Sequence, residues 1–230
     1  MFKFLSQIEA VYLKKIDSLV IADLHIGIEE EFKKLNINIG NYIEKMKEKI
    51  LKAKEICKCK NIIVIGDIKH EIGIPKKPEK ILDFFNFLNE NFEDIRIVKG
   101  NHDGLLEKIL KDFKIYSSRG FKKSIYGFFH GNSYPKANVL KAKYLFCSHL
   151  HPKVAFPKDY PKFHRKVFLI LPIKKEIIKK TKVHSKIIVL PSFNPFIFGI
   201  EFEEAKEGII EKIGDFKNVT CFDVNSEFII

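Results

Sequence analysis

The chain contains no tryptophan, two methionines, a single glutamine and only three arginines among its 41 basic residues. So little arginine argues against base-specific reading of nucleic acid, because bidentate recognition of guanine prefers that side chain. The four cysteines, Cys57, Cys59, Cys147 and Cys221, include no CxxC pair and no disulfide-rich spacing. They read as reduced thiols, Cys57 and Cys59 near a helix end and Cys147 inside an apolar strand. Long hydrophobic runs are also missing: residues 167–171, one of the longest, fall far short of a bilayer span. Residues 1–15 carry Glu9 and Lys14 and lack the uninterrupted apolar stretch of a signal peptide, so no membrane attachment and a cytoplasmic location are expected. No repeat, low-complexity tract or linker interrupts the 230 residues, and 1–230 is expected to form one domain.

Acidic residues are outnumbered 29 to 41, for a net charge of +12. Lysine supplies 38 of the basic residues, a bias that thermal adaptation or genome composition could produce without any ligand. The charge is nevertheless uneven. Residues 152–186 hold eleven basic side chains against Asp159 and Glu176, a local +9, with Phe156, Tyr160 and Phe163 interleaved. Such a stretch is either a solvated lysine-rich face or a surface that tracks phosphates, with aromatics able to stack on unpaired bases. His164 and His184 belong to no motif and are expected at the surface.

What the sequence has in quantity is alternation of strand-like and helix-like segments. Apolar β-branched runs at 19–22, 61–65 and 95–98 predict strands, with further strands at 124–129, 144–147, 167–171 and 186–190. Helical spacing at Ile43, Met46, Ile50, Ala53 and Ile56 predicts a helix over 40–56. Pro78 opens a second over 78–88, and a short amphipathic helix is expected over 105–113. The β-α-β-α-β opening implies parallel strands with helices packed on the sheet, an α/β fold whose ligand sites form beyond the carboxyl ends of the strands.

At five of those ends stand metal-grade ligands: Asp23-Leu24-His25, Gly66-Asp67, Gly100-Asn101-His102-Asp103, His130-Gly131 and His149-Leu150-His151. Asp and His with one neutral Asn oxygen suit two adjacent divalent cations held by nitrogen and oxygen donors. In an extended segment, Asp23 and His25 would project to the same side, as would His149 and His151. Asp67 follows a glycine that allows close backbone approach, and a carboxylate there can bridge two cations.

The series D-x-H, G-D-x-x-H (Gly66 to His70), G-N-H-D, H-G and H-x-H resembles the calcineurin-like metallophosphoesterase superfamily, in its order, across residues 23–151. Within it, Ala22-Asp23-Leu24-His25-Ile26-Gly27 and Leu190-Pro191-Ser192-Phe193-Asn194-Pro195 resemble the smaller archaeal SbcD-related phosphoesterases and the bacterial ligase-associated DNA-repair phosphoesterases, extending the likeness over about 20–200. The resemblance implies a layered α-β-β-α sandwich with a dimetal site at strand C-terminal ends. One cation would be held by Asp23, His25, Asp67 and His151, the other by Asp67, Asn101, His130 and His149. The metals implied are manganese, with iron or zinc also compatible. A water activated between them would attack phosphorus in line. His102 would serve as general acid, Asp103 would orient and polarise it, and His70 would stand behind the ligands. The function expected is a phosphodiesterase acting on nucleic acid, a nuclease with a place in DNA repair, contacting its substrate through the basic segment 152–186. A cyclic-nucleotide or other small phosphodiester is the alternative substrate, and a non-catalytic scaffold is the lesser alternative. The long capping and coiled-coil regions of the large SbcD-type nucleases are missing, which counts against processive end degradation with an ATPase partner.

Overall fold

The computed structural model describes residues 2–156, 163–199, 201 and 208–225. Two mixed sheets lie face to face. The first runs β1 (Phe2–Phe4), β2 (Val11–Leu13), β3 (Ser18–Ala22), β4 (Asn61–Ile65), β5 (Asp94–Val98) and β6 (Lys114–Tyr116), in that spatial order. Strands β3 to β6 are parallel, and β1 and β2 extend the edge antiparallel. The parallel pairs arise where expected, because α2 (Tyr42–Cys57) and α3 (Pro78–Asn91) carry the chain back between them. Tyr42, Met46, Ile50 and Ala53 of α2 and Ile81, Phe84, Phe85 and Leu88 of α3 are the buried faces of these helices, packed on the outer side of the sheet. The shorter α1 (Glu29–Lys34) precedes them.

The second sheet contains β7 (Phe121–Lys123), β8 (Tyr126–Phe128), β9 (Tyr144–Cys147), β10 (Lys153–Phe156), β11 (Phe163–Pro172), β12 (Lys186–Val189) and β13 (Thr220–Asp223), in the order β10-β11-β12-β9-β8-β7 with β13 also on β11. Its outer face is covered by α4 (Ala137–Leu140), α5 (Lys175–Thr181) and α6 (Ile209–Ile213) through Val139, Leu140, Ile177, Ile210 and Ile213. Between the sheets, Phe2, Phe4, Phe128, Phe146 and Phe168 meet Val20, Ile63 and Ile65, a core in which Phe4 and Phe168 stack at 4.4 Å. The layers are therefore α-β-β-α, as expected. Several strands of three or four residues (β1, β2, β6, β7, β10, β13) were not foreseen, since so few residues carry no measurable alternation. The helix expected over 105–113 is a single 3-10 turn at Leu106–Lys108; Leu105 before it takes a left-handed φ of 64°, which halts any regular start. No helix among the described residues is long and apolar enough to cross a membrane.

Candidate active site

All five ligand islands follow directly on strands: Asp23 on β3, Asp67 on β4, residues 100–103 on β5, His130 on β8 and His149 on β9. They rise from both sheets at one end of the sandwich. The loops after β3 and β4 are laced together beyond the sheet, with the His25 amide donating to the Asp67 carbonyl (2.8 Å) and that of His70 to the Ile26 carbonyl (3.0 Å). The expectation of extended D-x-H and H-x-H segments is wrong. Asp23 (φ 52°), His25 (42°), Asp67 (33°), His149 (73°) and His151 (45°) all occupy the left-handed region, which turns the chain across the strand ends instead of beyond them. Each such non-glycine residue costs about 1–3 kcal/mol, and five together concentrate strain where side chains must converge.

The donors converge on Asp67. His25, Asp67 and His151 form one group, and Asp67, His130 and His149 another, with the ligand atoms of each within 4.8 Å of one another. Asp67 Oδ2 lies 3.7 Å from His25 Nε2 and 3.5 Å from His130 Nε2, so one oxygen faces both groups, while Oδ1 accepts from the His102 amide at 3.0 Å. Asp23 Oδ2 is 3.1 Å from His151 Nε2, and Asn101 Oδ1 is 3.1 Å from His130 Nε2. Among the described residues, the buried Nε2 atoms of His25 and His151 have no hydrogen-bond partner; the His151–Asp23 approach is close but not in hydrogen-bond geometry. Unpartnered buried imidazole nitrogens set beside carboxylate oxygens are a donor set that a pair of divalent cations would satisfy, so the residues fit such ions.

The protonation balance points the same way. Burial pushes Asp23 and Asp67 up, but the rings of His151 and His130 outweigh it and hold both carboxyls below the ordinary range. Burial pushes His25 down to about 3 and His149 to about 4, keeping both as neutral donors. His130 is lowered by burial but raised overall by Asp67 and Asp23, so a proton and a cation compete there.

Gly66 and Gly100 are there for room. A Cβ on Gly66 would fall 1.8 Å from His130 Nδ1, and one on Gly100 2.0 Å from Asp67 Oδ1.

His102 lies at the edge of the two groups, its ring 5.2 Å from that of His25. The expectation that Asp103 orients His102 does not hold. The Asp103 carboxylate is buried and accepts from the amides of Ile68 (2.9 Å), Lys69 (3.2 Å) and Gly100 (2.8 Å), splinting the loop after β5 to the loop after β4. Burial raises its pKa to about 6. The His102 ring is held instead by the His70 carbonyl, 2.6 Å from Nδ1, which leaves Nε2 free; its main-chain carbonyl accepts from the buried Lys69 ammonium.

Three supporting residues were not singled out from the sequence. Ser148 Oγ donates to Asp23 Oδ1 (3.0 Å) and lies 3.1 Å from His130 Nδ1, tying β9 to β3; its place beside His149 was its one signal. Glu31 Oε2 stands 3.1 Å from His70 Nε2 and looked like ordinary acidic decoration of a helix start. Lys166 donates to the carbonyls of Ser192 (2.8 Å) and Asn194, whose side chains in turn hold the carbonyls of Asp23 (2.8 Å) and Leu24 (2.7 Å). The Leu190–Pro195 stretch is thus a buttress under the first ligand loop.

The basic segment 152–186 does not form one surface. Pro172 pairs with Lys186 and Lys186 with Tyr144, at the start of β9, whereas the ligands follow its end at Cys147. Lys174, Lys175, Lys179, Lys180, Lys182 and Lys186 therefore belong to the end of the sandwich away from the site. Lys166 is buried, and Arg165 is paired with Asp223 at 2.8 Å. Lys158, Tyr160 and Lys162 lie outside the described residues, as do the side chains of Phe156 and Phe163. His184 is exposed; His164 is also exposed, 3.3 Å from Glu201.

A family profile described as calcineurin-like phosphoesterase matches residues 17–215. Among solved structures, the Pseudomonas putida nuclease MPE superposes with a TM-score of 0.59 at 18% identity, covering 91% of this chain and 92% of that one. YfcE, a phosphoesterase from E. coli, gives a TM-score of 0.38 at 16% identity over 60% of this chain and 71% of its own. No curated protein matches in sequence.

Proposed function

The chain belongs to the calcineurin-like phosphoesterase family, and from that premise we propose that it is a manganese-dependent phosphodiesterase that cleaves nucleic acid. The observation that carries the reading is the pair of donor groups sharing Asp67, with His102 beside them. Asp23, His25, Asp67 and His151 would hold one cation, and Asp67, Asn101, His130 and His149 the other. Two such ions supply a nucleophilic water at neutral pH and withdraw charge from the phosphoryl oxygens. Imidazole and carboxylate donors with one amide oxygen suit manganese, and suit iron or zinc as well. His102, with Nδ1 committed to the His70 carbonyl, presents Nε2 to give a proton to the departing oxygen as the P–O bond breaks.

The choice of nucleic acid rests on charge near the site. Arg119 and Lys136 are exposed beside the loop that carries His130, with the exposed Tyr134 between them in the chain. Lys34 and Lys76 are exposed on the other flank, near His102. Lysine contacts of this kind are to phosphate and give binding without sequence preference.

The test is a substrate panel with manganese: single-stranded DNA, duplex DNA, RNA and 2′,3′- and 3′,5′-cyclic nucleotides, each with and without chelator. Cleavage of polynucleotide that chelation abolishes is the expected result. Turnover of cyclic nucleotides alone would reassign the substrate, and activity that survives chelation would overturn the two-cation reading.

A further inference from the structure

Beside His102, a cavity of about 550 Å³ is lined by Lys34, His70, Ile72, Ile74, Lys76 and three glutamates. Its volume lies within the range of about 300–1,000 Å³ usual for small-ligand sites. Two of its walls are unusual for a soluble surface. Ile72 is 80% exposed and Ile74 61% exposed, both on the loop between β4 and α3, two large aliphatic side chains turned to water next to reactive groups. Isolated exposed apolar residues are ordinary, but two on one loop at the lip of a polar cleft form a small apolar shelf.

The charge around that shelf is mixed, with Lys34 and Lys76 standing among three glutamates. Glu30 is paired with Lys33 (3.1 Å) and Lys77 (3.0 Å), whereas Glu31 meets the His70 imidazole (3.1 Å) and Glu71 the Lys76 amide (2.8 Å), and both keep their negative charge. The ammonium groups of Lys34 and Lys76 enter no ion pair among the described residues. The cavity therefore offers an apolar ledge, two lysines outside any ion pair, carboxylates that can accept from a base or sugar, and the His102 side chain in its lining.

We propose that this cavity holds the leaving-group nucleoside of the substrate, its base against Ile72 and Ile74 and its next phosphate against Lys34 and Lys76. The inference rests on the phosphodiesterase reading above and extends it. Whatever group receives the proton from His102 must lie against His102, and His102 is part of this cavity's wall. In the reaction, water oxygen bonds to phosphorus, the P–O bond to the leaving nucleoside breaks, and that oxygen takes the His102 proton.

The test compares KM for the dinucleotide TpT with that for methyl phosphodiesters of thymidine cleaved with release of methanol, with manganese, in the wild type and in Ile72→Ser/Ile74→Ser. The substitutions lie on an exposed loop and touch no proposed ligand. KM for TpT is expected to rise about tenfold, equivalent to about 1.4 kcal/mol, and KM for the methyl esters to stay within twofold. Ile72→Phe should shift TpT the opposite way by enlarging the shelf. Adding a terminal phosphate beyond the leaving nucleoside should lower KM in the wild type but not in Lys34→Gln/Lys76→Gln. A wild type active on TpT whose KM is unmoved by the isoleucine variants would overturn the cavity assignment and leave the nucleic-acid reading standing. A wild type that turns over p-nitrophenyl phosphodiesters but no nucleotide substrate would overturn both.

Discussion

His25 and His70 meet Nδ1 to Nδ1 at 3.2 Å, so one proton must serve both rings. Glu31, 3.1 Å from His70 Nε2, decides which ring keeps it. A carboxylate there requires His70 to be protonated on Nε2, which makes His70 Nδ1 the acceptor and His25 Nδ1 the donor. His25 then presents an unprotonated Nε2 toward Asp67, the form a divalent cation needs.

Removing that chain should cost metal affinity before it costs fold. His70→Ala is expected to weaken manganese binding roughly 10- to 100-fold, measured by calorimetry on chelator-stripped protein. Glu31→Gln, which keeps an acceptor oxygen, should lose less. Nitrogen-15 shifts of the metal-free protein should show His25 protonated on Nδ1 in the wild type. An unchanged manganese affinity in His70→Ala would refute the chain.

Gly100 tests how tightly Asp67 is boxed. A Cβ there would fall 2.0 Å from Asp67 Oδ1 and 2.3 Å from its amide nitrogen, so Gly100→Ala must push the shared carboxylate away from one or both donor groups. Overpacking of this kind costs about 1–3 kcal/mol, and binding of both cations should weaken together because Asp67 belongs to both groups. Gly104→Ala, whose Cβ meets nothing within 4 Å, is the control expected to resemble the wild type. Full metal content in Gly100→Ala would show that Asp67 has freedom these distances deny it.

The islands were legible because an apolar run that stops at an Asp or His is a local signal, and β3, β4, β5, β8 and β9 each end that way. Their layered setting was legible for the same reason, from helix spacing between parallel strands. Asp103 was misread because its partners, the amides of Ile68 and Lys69, lie more than thirty residues away and leave no side-chain signature. Ser148 was hidden likewise, since its bond to Asp23 spans 125 positions. The lysines after Pro172 were misjudged because proximity in sequence to His151 says nothing about which end of a sheet an antiparallel strand returns to.

Lys166 should give the fold a distinctive alkaline response. Burial lowers its pKa to about 8, whereas an unfolded lysine titrates near 10.4. Between those values the unfolded state binds more protons than the folded one, so stability rises with pH across about 8 to 10 and the charged form is a burden below 8. A shift of this size amounts to about 3 kcal/mol. The difference in unfolding free energy between wild type and Lys166→Met, from urea titrations, should move in favour of the wild type over that window. A difference that stays flat would mean the ammonium is well solvated by the Ser192 and Asn194 carbonyls.

His102 separates proton transfer from metal binding because its contributions come from different atoms. Its amide donates to Asp67 Oδ1 and its carbonyl accepts from Lys69, and neither depends on the ring. His102→Gln should therefore keep both cations while losing the proton at Nε2, with kcat on oligonucleotides falling about 10²- to 10⁴-fold. A p-nitrophenolate leaving group needs no proton to depart, so the same variant should hydrolyse p-nitrophenyl phosphodiesters with a much smaller loss. Metal analysis and the two rates together decide the matter. Equal losses on both substrates, or loss of a cation, would mean that His102 supports the site without donating the proton.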